Sequence, residues 1–555
     1  MPFAARRNDF MRPLVIIGLD GATWKIVRPL AEKGVMPITG ELIRRGFSTM
    51  LNSVIPPITG PAWVSFATGL NPGRTGVFDF MTRRDFSYSL NAINSSDFKG
   101  KAFWDHLSEN GFRVGVLNFP MLYPPYSLNG FVVSGMGSSM EESISYPTGL
   151  KEEMKKTVPG YRVTLNFFHK KYKDEWLFLK DLNETFENQL KLCLHLLRKQ
   201  DTDLFTMIFQ ATDWIQHVLW RHIDESHPAY DPVRSPAIAS AVDAFWHRVD
   251  AGLGEILEAV GDTGNLLIVS DHGFGPMIKD FNVAAWLVES GYMKLKPGLA
   301  GGSAKAWNRF AKSLLKLGTY INFRKFVPEA IRRSFLRKLG VGWGSSMTLS
   351  NMIDFTKSRA YVLGHSRAIG CIYLNVAGRE PMGILEKEEA LSTREEIVIN
   401  LSKYASRSCE DGELQIFYPE EIYEGPLAEL APDIIFQQRD RHWQFLDSPP
   451  DGPVIVNQDD SPLLSGTHRM DGILLAAGPD IAPGSIKEAS ILDMAPTILY
   501  MFGLEAEESI DGRVLSEMIQ PGYTPPARRK TAPVEDVFLD SLNARISKLR
   551  AEGKL

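Results

Sequence analysis

Cysteine is scarce in this chain: three occur in 555 residues, at Cys193, Cys371 and Cys409. So few, so scattered, exclude both a disulfide framework and a thiolate zinc site. Long hydrophobic runs are also missing, and nothing approaches the ~18 uninterrupted apolar residues of a membrane span. An excess of positive charge is absent as well. Lys and Arg number 61 against 66 Asp and Glu, for a formal net charge of −5, so bulk charge gives no reason to expect a nucleic-acid partner. The N-terminal stretch lacks the apolar core of about 7–15 residues and the small-residue cleavage site of a signal peptide. Its apolar run, Leu14 to Leu19, ends on Asp20, and the expectation is a soluble, cytoplasmic protein.

What is present is ordinary globular composition, 44% hydrophobic and 23% charged, which excludes a disordered or collagen-like chain. At roughly 150 residues per domain the length allows two to four domains. Short apolar runs alternate with helical stretches: 14–19, 111–119, 204–210 and 265–270 read as strands, with helices near 102–110 and over 235–260. Continuous apolar runs bounded by turns are the pattern of strands buried on both faces of a mostly parallel sheet between helices. The expected fold class is therefore layered α/β, with active-site residues at the carboxyl ends of the strands.

The alternation sets the expected domains. Residues 12–276 form the first part of an α/β core, carrying a helical insertion at about 150–200. Residues 277–354 form a basic cap, 355–520 the second part of the core, and 521–555 a linker and short helix. Between Lys294 and Lys338 twelve basic residues meet one acid, Glu329. That stretch is either a solvated helical insertion or a surface for anionic lipid or a polyanionic substrate, a peripheral membrane contact through 294–338.

Without thiolates, a transition-metal site must draw on the eleven histidines and on carboxylates. Five segments supply them. Asp20 ends a buried strand and needs a cation or several donors there, or else caps the next helix. Thr59 stands at the start of Thr59-Gly60-Pro61-Ala62-Trp63, where proline suits a first helical turn and Gly69 a terminus. A threonine there is either a plain N-cap or a hydroxyl held beside unpaired N–H groups suited to phosphate. Asp213 and His217, four residues apart, share one helix face. They form an ion pair or half of a zinc site. Asp271-His272-Gly273 directly follows a strand, and an adjacent acid and imidazole there have no evident packing use. His468 lies in a glycine-containing loop before Ile473–Ala477. Together these are ligands enough for two divalent ions sharing one reaction centre.

This ordered set resembles the alkaline phosphatase superfamily, and within it the type I phosphodiesterase/nucleotide pyrophosphatase family. The matching elements are Leu19-Asp20-Gly21, Thr59 through Thr68-Gly69-Leu70, Asp213 with His217, Asp271-His272-Gly273, the distal His468, and the closing Ser490-to-Thr497 segment. The resemblance implies an alkaline-phosphatase-like fold and two divalent ions, zinc or alternatively manganese. One is held by Asp20, Asp271 and His272 with Thr59, the other by Asp213, His217 and His468. It implies a phosphodiesterase or pyrophosphatase acting on a small phosphate ester through a phospho-threonine intermediate. Two positions depart from the family pattern: Ala62 stands where an asparagine usually holds a phosphoryl oxygen, and Gln216 where a glycine precedes the helical histidine. Trp63 is a candidate substrate-pocket residue, or a buried helix aromatic. A phosphomonoesterase or metal-dependent phosphomutase of the same fold is the nearest alternative. The Cys-x-Pro-x-Arg motif of sulfatases is absent. A membrane-surface binding protein with a structural metal site is the alternative of another class.

Overall fold

A computed structural model describes residues 12–165, 172, 174–297, 346–364, 368–450, 452–457 and 464–525. The chain divides into two compact units. The first comprises the chain up to Val77, Ile93–Pro276 and the chain from Leu463 onward; the second comprises Phe78–Ala92 and Met277–Pro462.

The first unit is built on a nine-stranded sheet. Its strands are β1 (Leu14–Leu19), β2 (Phe47–Asn52), β3 (Val114–Phe119), β4 (Gly130–Ser134), β5 (Ser145–Tyr146), β6 (Leu204–Phe209) and β7 (Asn265–Val269). A short β8 (Gly273–Pro276) and β9 (Gly466–Arg469) pair with each other outside it, and β10 (Asp471–Ala477) and β11 (Glu488–Ser490) return to it. The order is β11-β2-β10-β7-β1-β6-β3-β4-β5. The central five, β7-β1-β6-β3-β4, are all parallel. Every residue of β1, β3, β6 and β7 is buried, which is why these segments read as largely apolar runs without a polar face. β10 runs antiparallel to both of its neighbours.

Among the described residues, ten helices flank or cap this sheet: α1 (Trp24–Glu32), α2 (Pro37–Arg45), α3 (Thr59–Thr68), α4 (Pro72–Thr75), α5 (Phe103–Glu109), α6 (Leu150–Thr157), α7 (Glu175–Lys199), α8 (Ala211–Ile223), α9 (Ser235–Val260) and α10 (Met494–Met501). α7, α8 and α9 meet at Glu175. Its carboxylate accepts a 2.7 Å hydrogen bond from Arg221 on α8, lies 3.4 Å from His222 Nε2, and is also bonded by Arg234 at the head of α9. The His222 contact above all, then Arg221 and Arg234, hold this carboxyl at about 2 against the opposing pull of burial. A carboxyl depressed in the fold stabilises it above its ordinary range and loses that effect as pH falls toward the folded value. Glu175→Gln should therefore cost about 1.5–3 kcal/mol near neutrality, the range for hydrogen bonds to charged groups. The difference from wild type should close as pH drops from about 4.5 toward 2, read by denaturant melts at several pH values.

The second unit holds its own sheets. Ala360–Tyr361, Gly370–Leu374, Ile434–Gln438 and Leu414–Phe417 form a four-stranded antiparallel sheet, and Trp443–Leu446, Lys279–Asn282 and Ile455–Asn457 a three-stranded one. They share an apolar core with Trp286, Ile397 and Leu401. Arg83 is buried against Glu380 at 3.3 Å, and Arg379 bridges Glu380 to Asp433, so the buried charges are paired.

This differs from the division read in the sequence. Residues 355–462 do not continue the parallel sheet. An antiparallel sheet core and a parallel one bury the same short β-branched runs, so the runs at 359–363 and 370–375 did not reveal which sheet they join. The return to the first unit comes at Leu463. Of the basic stretch 294–338, only Lys294 and Lys296 fall within the described residues; the rest of that surface lies outside them, as does most of 521–555. Among the described residues no helix is long and apolar enough to cross a membrane.

Candidate active site

All seven proposed ligands converge at the carboxyl ends of β1, β6 and β7. Each of these strands delivers its ligands just past its own end. Asp20 directly follows β1, Asp213 lies in the first turn of α8 after β6, and Asp271 and His272 come after β7. The strand ends are stitched together. Gly21 N–H donates to Asp271 Oδ1 at 3.1 Å, Thr212 Oγ1 to the Asp20 carbonyl at 2.7 Å, and Gln216 Nε2 to the Gly21 carbonyl at 2.9 Å. Gln216, the departure from the family pattern, thus fastens α8 to the turn after Asp20.

Gly21 is left-handed at φ 67°, and a Cβ on it would sit 3.0 Å from Phe274 and 3.3 Å from Asp213 Oδ1, so glycine is needed there on both counts. Gly273 has its own reason. A Cβ there would lie 2.1 Å from the Asp471 carbonyl oxygen, so glycine lets the start of β8 lie against the chain where it passes from β9 into β10. Phe274 on β8 stands opposite His468 on β9. The β8–β9 pairing brings His468 onto the site, its ring stacked on His272 with centroids 3.8 Å apart.

Thr59 is the first residue of α3, with Ile58 as the N-cap. Its side chain is therefore not the cap. Oγ1 lies 3.4 Å from His272 Nε2 and 3.5 Å from Asp20 Oδ1. His272 Nε2 is 3.3 Å from Asp271 Oδ2 and 3.6 Å from Asp20 Oδ1. On the other side, Asp213 Oδ1 is 3.5 Å from His217 Nε2 and 3.3 Å from His468 Nε2, and those two nitrogens are 3.0 Å apart.

The imidazoles share one orientation. His217 Nδ1 bonds the Gly466 carbonyl at 2.9 Å, His468 Nδ1 the Pro57 carbonyl at 3.0 Å, and His272 Nδ1 the Gly273 carbonyl at 3.1 Å. A carbonyl only accepts, so each Nδ1 carries the proton and each Nε2 presents a lone pair to the centre. That is how carbonyls behind the ring prepare histidine to ligate a metal. Asp213 Oδ1 and Asp271 Oδ2 are buried with no hydrogen-bond donor. Three buried carboxylates, two of them with an orphaned oxygen, beside inward lone pairs make an acceptor-only cavity, and the residues fit divalent cations.

Burial, then the nearby Asp271 and Asp213 charges, push the Asp20 carboxyl well above its ordinary value, and burial lifts Asp271 to about 8. Burial opposes ionisation of Asp213 too, and it is held low only by positive charge beside it, from protonated His217, His468 and His272 or from a cation in their place. His272 is held well below the usual imidazole range, by burial first and then by His468.

Two ligand groups emerge, Asp213 with His217 and His468, and Asp20 with His272 and again Asp213. The sequence assigned Asp213 to one ion; its carboxylate reaches both groups. Asp271 stands beside the second group through His272. One other expectation meets different surroundings. Trp63 has no exposed surface and packs edge-on against Phe66 and Phe119, so it does not line a substrate pocket. Its indole instead donates to Asp20 Oδ2 at 3.1 Å, a contact for which the four-residue spacing from Thr59 was the only signal. Arg74, fifteen residues beyond Thr59, donates to Asp511 at 2.7 Å. The sequence also missed Arg469, buried and donating to the carbonyls of Thr467, His468 and Pro276, where it ties β9 to β8.

The mostly parallel α/β sheet thus carries a hydroxyl set among buried acids and imidazoles at its strand ends. The family model described as type I phosphodiesterase / nucleotide pyrophosphatase matches residues 14–471, and the chain belongs to that family. A similar solved structure is that of human ectonucleotide pyrophosphatase / phosphodiesterase 5, with 12% identity and a TM-score of 0.49 over 92% of this chain and 100% of that one. No curated protein sequence matches the chain.

Proposed function

We propose that this enzyme cleaves phosphodiesters or pyrophosphates at a centre of two divalent ions, zinc or manganese, through a phospho-threonine on Thr59. The observation that carries this is the common orientation of the three imidazoles, each Nδ1 on a backbone carbonyl and each Nε2 turned inward. Asp20, Asp271 and His272 would hold one ion and His217 and His468 the other, with Asp213 within reach of both. Bound there, the ions supply Lewis acidity that eases ionisation of a hydroxyl or water and neutralises charge on the phosphoryl group.

The chain's own residues do the rest. Thr59 Oγ1, held at the head of α3, loses its proton to solvent and attacks phosphorus. The phosphorus–oxygen bond to the leaving group breaks, and that oxygen takes a proton from water. Water then attacks the phospho-threonine from the vacated side and restores the hydroxyl. Ala62 offers no side-chain donor to a phosphoryl oxygen, so charge stabilisation falls to the cation centre and the N-terminus of α3.

The substrate is a small phosphate ester. A monoester brings a second negative charge to be compensated, and with Arg74 committed to Asp511 the diester is favoured. In a metal-replete assay of a nitrophenyl phosphate against its methyl or phenyl diester, the diester should have the higher kcat/KM. A monoester preference of about tenfold or more, ~1.4 kcal/mol of transition-state stabilisation, would refute the diesterase reading and favour the phosphomonoesterase alternative.

A further inference from the structure

We infer that Trp63 is a positioning residue for Asp20: its indole N–H holds one carboxylate oxygen so that the other alone faces the cation centre. This rests on the two-metal reading above. Residue 18 lies in β1, two residues before Asp20, which stands in the turn just past the strand. Residue 18 is glycine. A Cβ there would fall 2.6 Å from the far edge of the Trp63 ring and 2.4 Å from Ile208 Cδ1. The bare backbone at Gly18 is thus what admits the indole against the sheet, and from that seat the ring reaches Asp20.

The indole N–H is donor only, and an ionised carboxylate accepts only. The 3.1 Å bond from Trp63 Nε1 to Oδ2 therefore settles the carboxylate's rotation. Oδ1 is left on the side of Thr59 Oγ1 and His272 Nε2, at 3.5 and 3.6 Å. Trp63 and Thr59 are four residues apart on α3, on one helix face. One side chain thus couples the helix that carries the hydroxyl to the strand that carries the acid. Phe66 shares the aromatic packing, with its ring centroid 5.2 Å from that of Trp63, but has no donor. Packing and hydrogen bonding are therefore separable.

The test measures metal affinity by chelator competition, with zinc as the probe, on wild type, Trp63→Phe, Phe66→Leu, and a protein carrying benzothienylalanine at position 63. That isostere keeps the indole's shape and lacks the N–H, so it decides the matter where the smaller phenyl ring unsettles the core. Both position-63 proteins should bind the ion on the Asp20 side about 10–100-fold more weakly, the usual effect of losing a group that orients a metal ligand. The ion on the His217–His468 side should keep its affinity. With cobalt as a second probe, the visible spectrum of the Asp20-side ion should shift, and under saturating metal kcat should fall while KM holds. Phe66→Leu should lower the melting temperature and leave both affinities in place. Wild-type affinities in both position-63 proteins, or equal weakening by Phe66→Leu, would overturn the inference and leave the two-metal reading standing. A wild type that takes up no second ion would overturn that reading, and the inference with it.

Discussion

Thr59→Ala should lose turnover by on the order of 10^4-fold or more, the scale on which enzymes lose rate when a covalent nucleophile is removed, while retaining its metal. Thr59 Oγ1 sits 3.4 Å from His272 and 3.5 Å from Asp20, yet it is not the N-cap of α3 and closes no hydrogen bond that the helix needs. Ile58 caps through its backbone, and Gly69, left-handed at φ 68°, ends the helix. Alanine at 59 therefore leaves the helix in place and deletes only the hydroxyl. Measured kcat, far-ultraviolet circular dichroism and metal content together check this. Near wild-type kcat in Thr59→Ala, under conditions where Asp271→Ala is inactive, would show that another group attacks phosphorus.

Asp271→Asn should have effects of opposite sign on function and on stability. The carboxylate stands in a cluster with Asp20 and Asp213, is wholly buried, and has one oxygen without a donor. Without metal, burial and the neighbouring acids make this carboxyl hold a proton that the unfolded chain releases near neutrality, a cost that asparagine, neutral in both states, does not carry. Asparagine keeps the acceptor for the Gly21 N–H. The metal-free variant should be more stable than metal-free wild type by about 1–3 kcal/mol, the cost range of an unsatisfied buried polar group. It should lose the ion on that side and, with it, nearly all activity. Thermal melts of both proteins with chelator and with added zinc provide the check. The expected pattern is a higher melting temperature for the variant in chelator and a higher one for wild type in zinc. A variant less stable than wild type in chelator would mean that the carboxylate is satisfied without a cation.

Much of this centre was legible in the sequence because its ligands sit where local pattern changes abruptly. Asp20 breaks an apolar run, Asp271-His272 follows one, and Asp213 and His217 are spaced for one helix face. Each such break marks a strand end or helix start, and in a parallel sheet those places adjoin. The helix Ser235–Val260 was also readable to its ends, with proline at its start and glycine just beyond. The hidden features depend on partners distant in the chain. Asp213 reaches both ligand groups because α8 packs between the turn at Gly21 and the paired β8 and β9. The role of Trp63 depends on Gly18 in another element. The antiparallel course of β10 and the departure of residues 355–462 into a second unit arise from pairings that an apolar run does not specify. Arg469, among the least exposed arginines at 3%, carried no signal, since a lone arginine before a strand reads as solvated.

The most direct test of the account is the metal content of the purified chain after reconstitution and removal of loosely held ions, by elemental analysis against protein concentration. Two divalent ions per chain are expected, zinc or manganese, because inward-facing Nε2 lone pairs favour a transition metal over magnesium or calcium. Less than one equivalent of any transition metal per chain would contradict the two-metal centre on which the proposed mechanism depends.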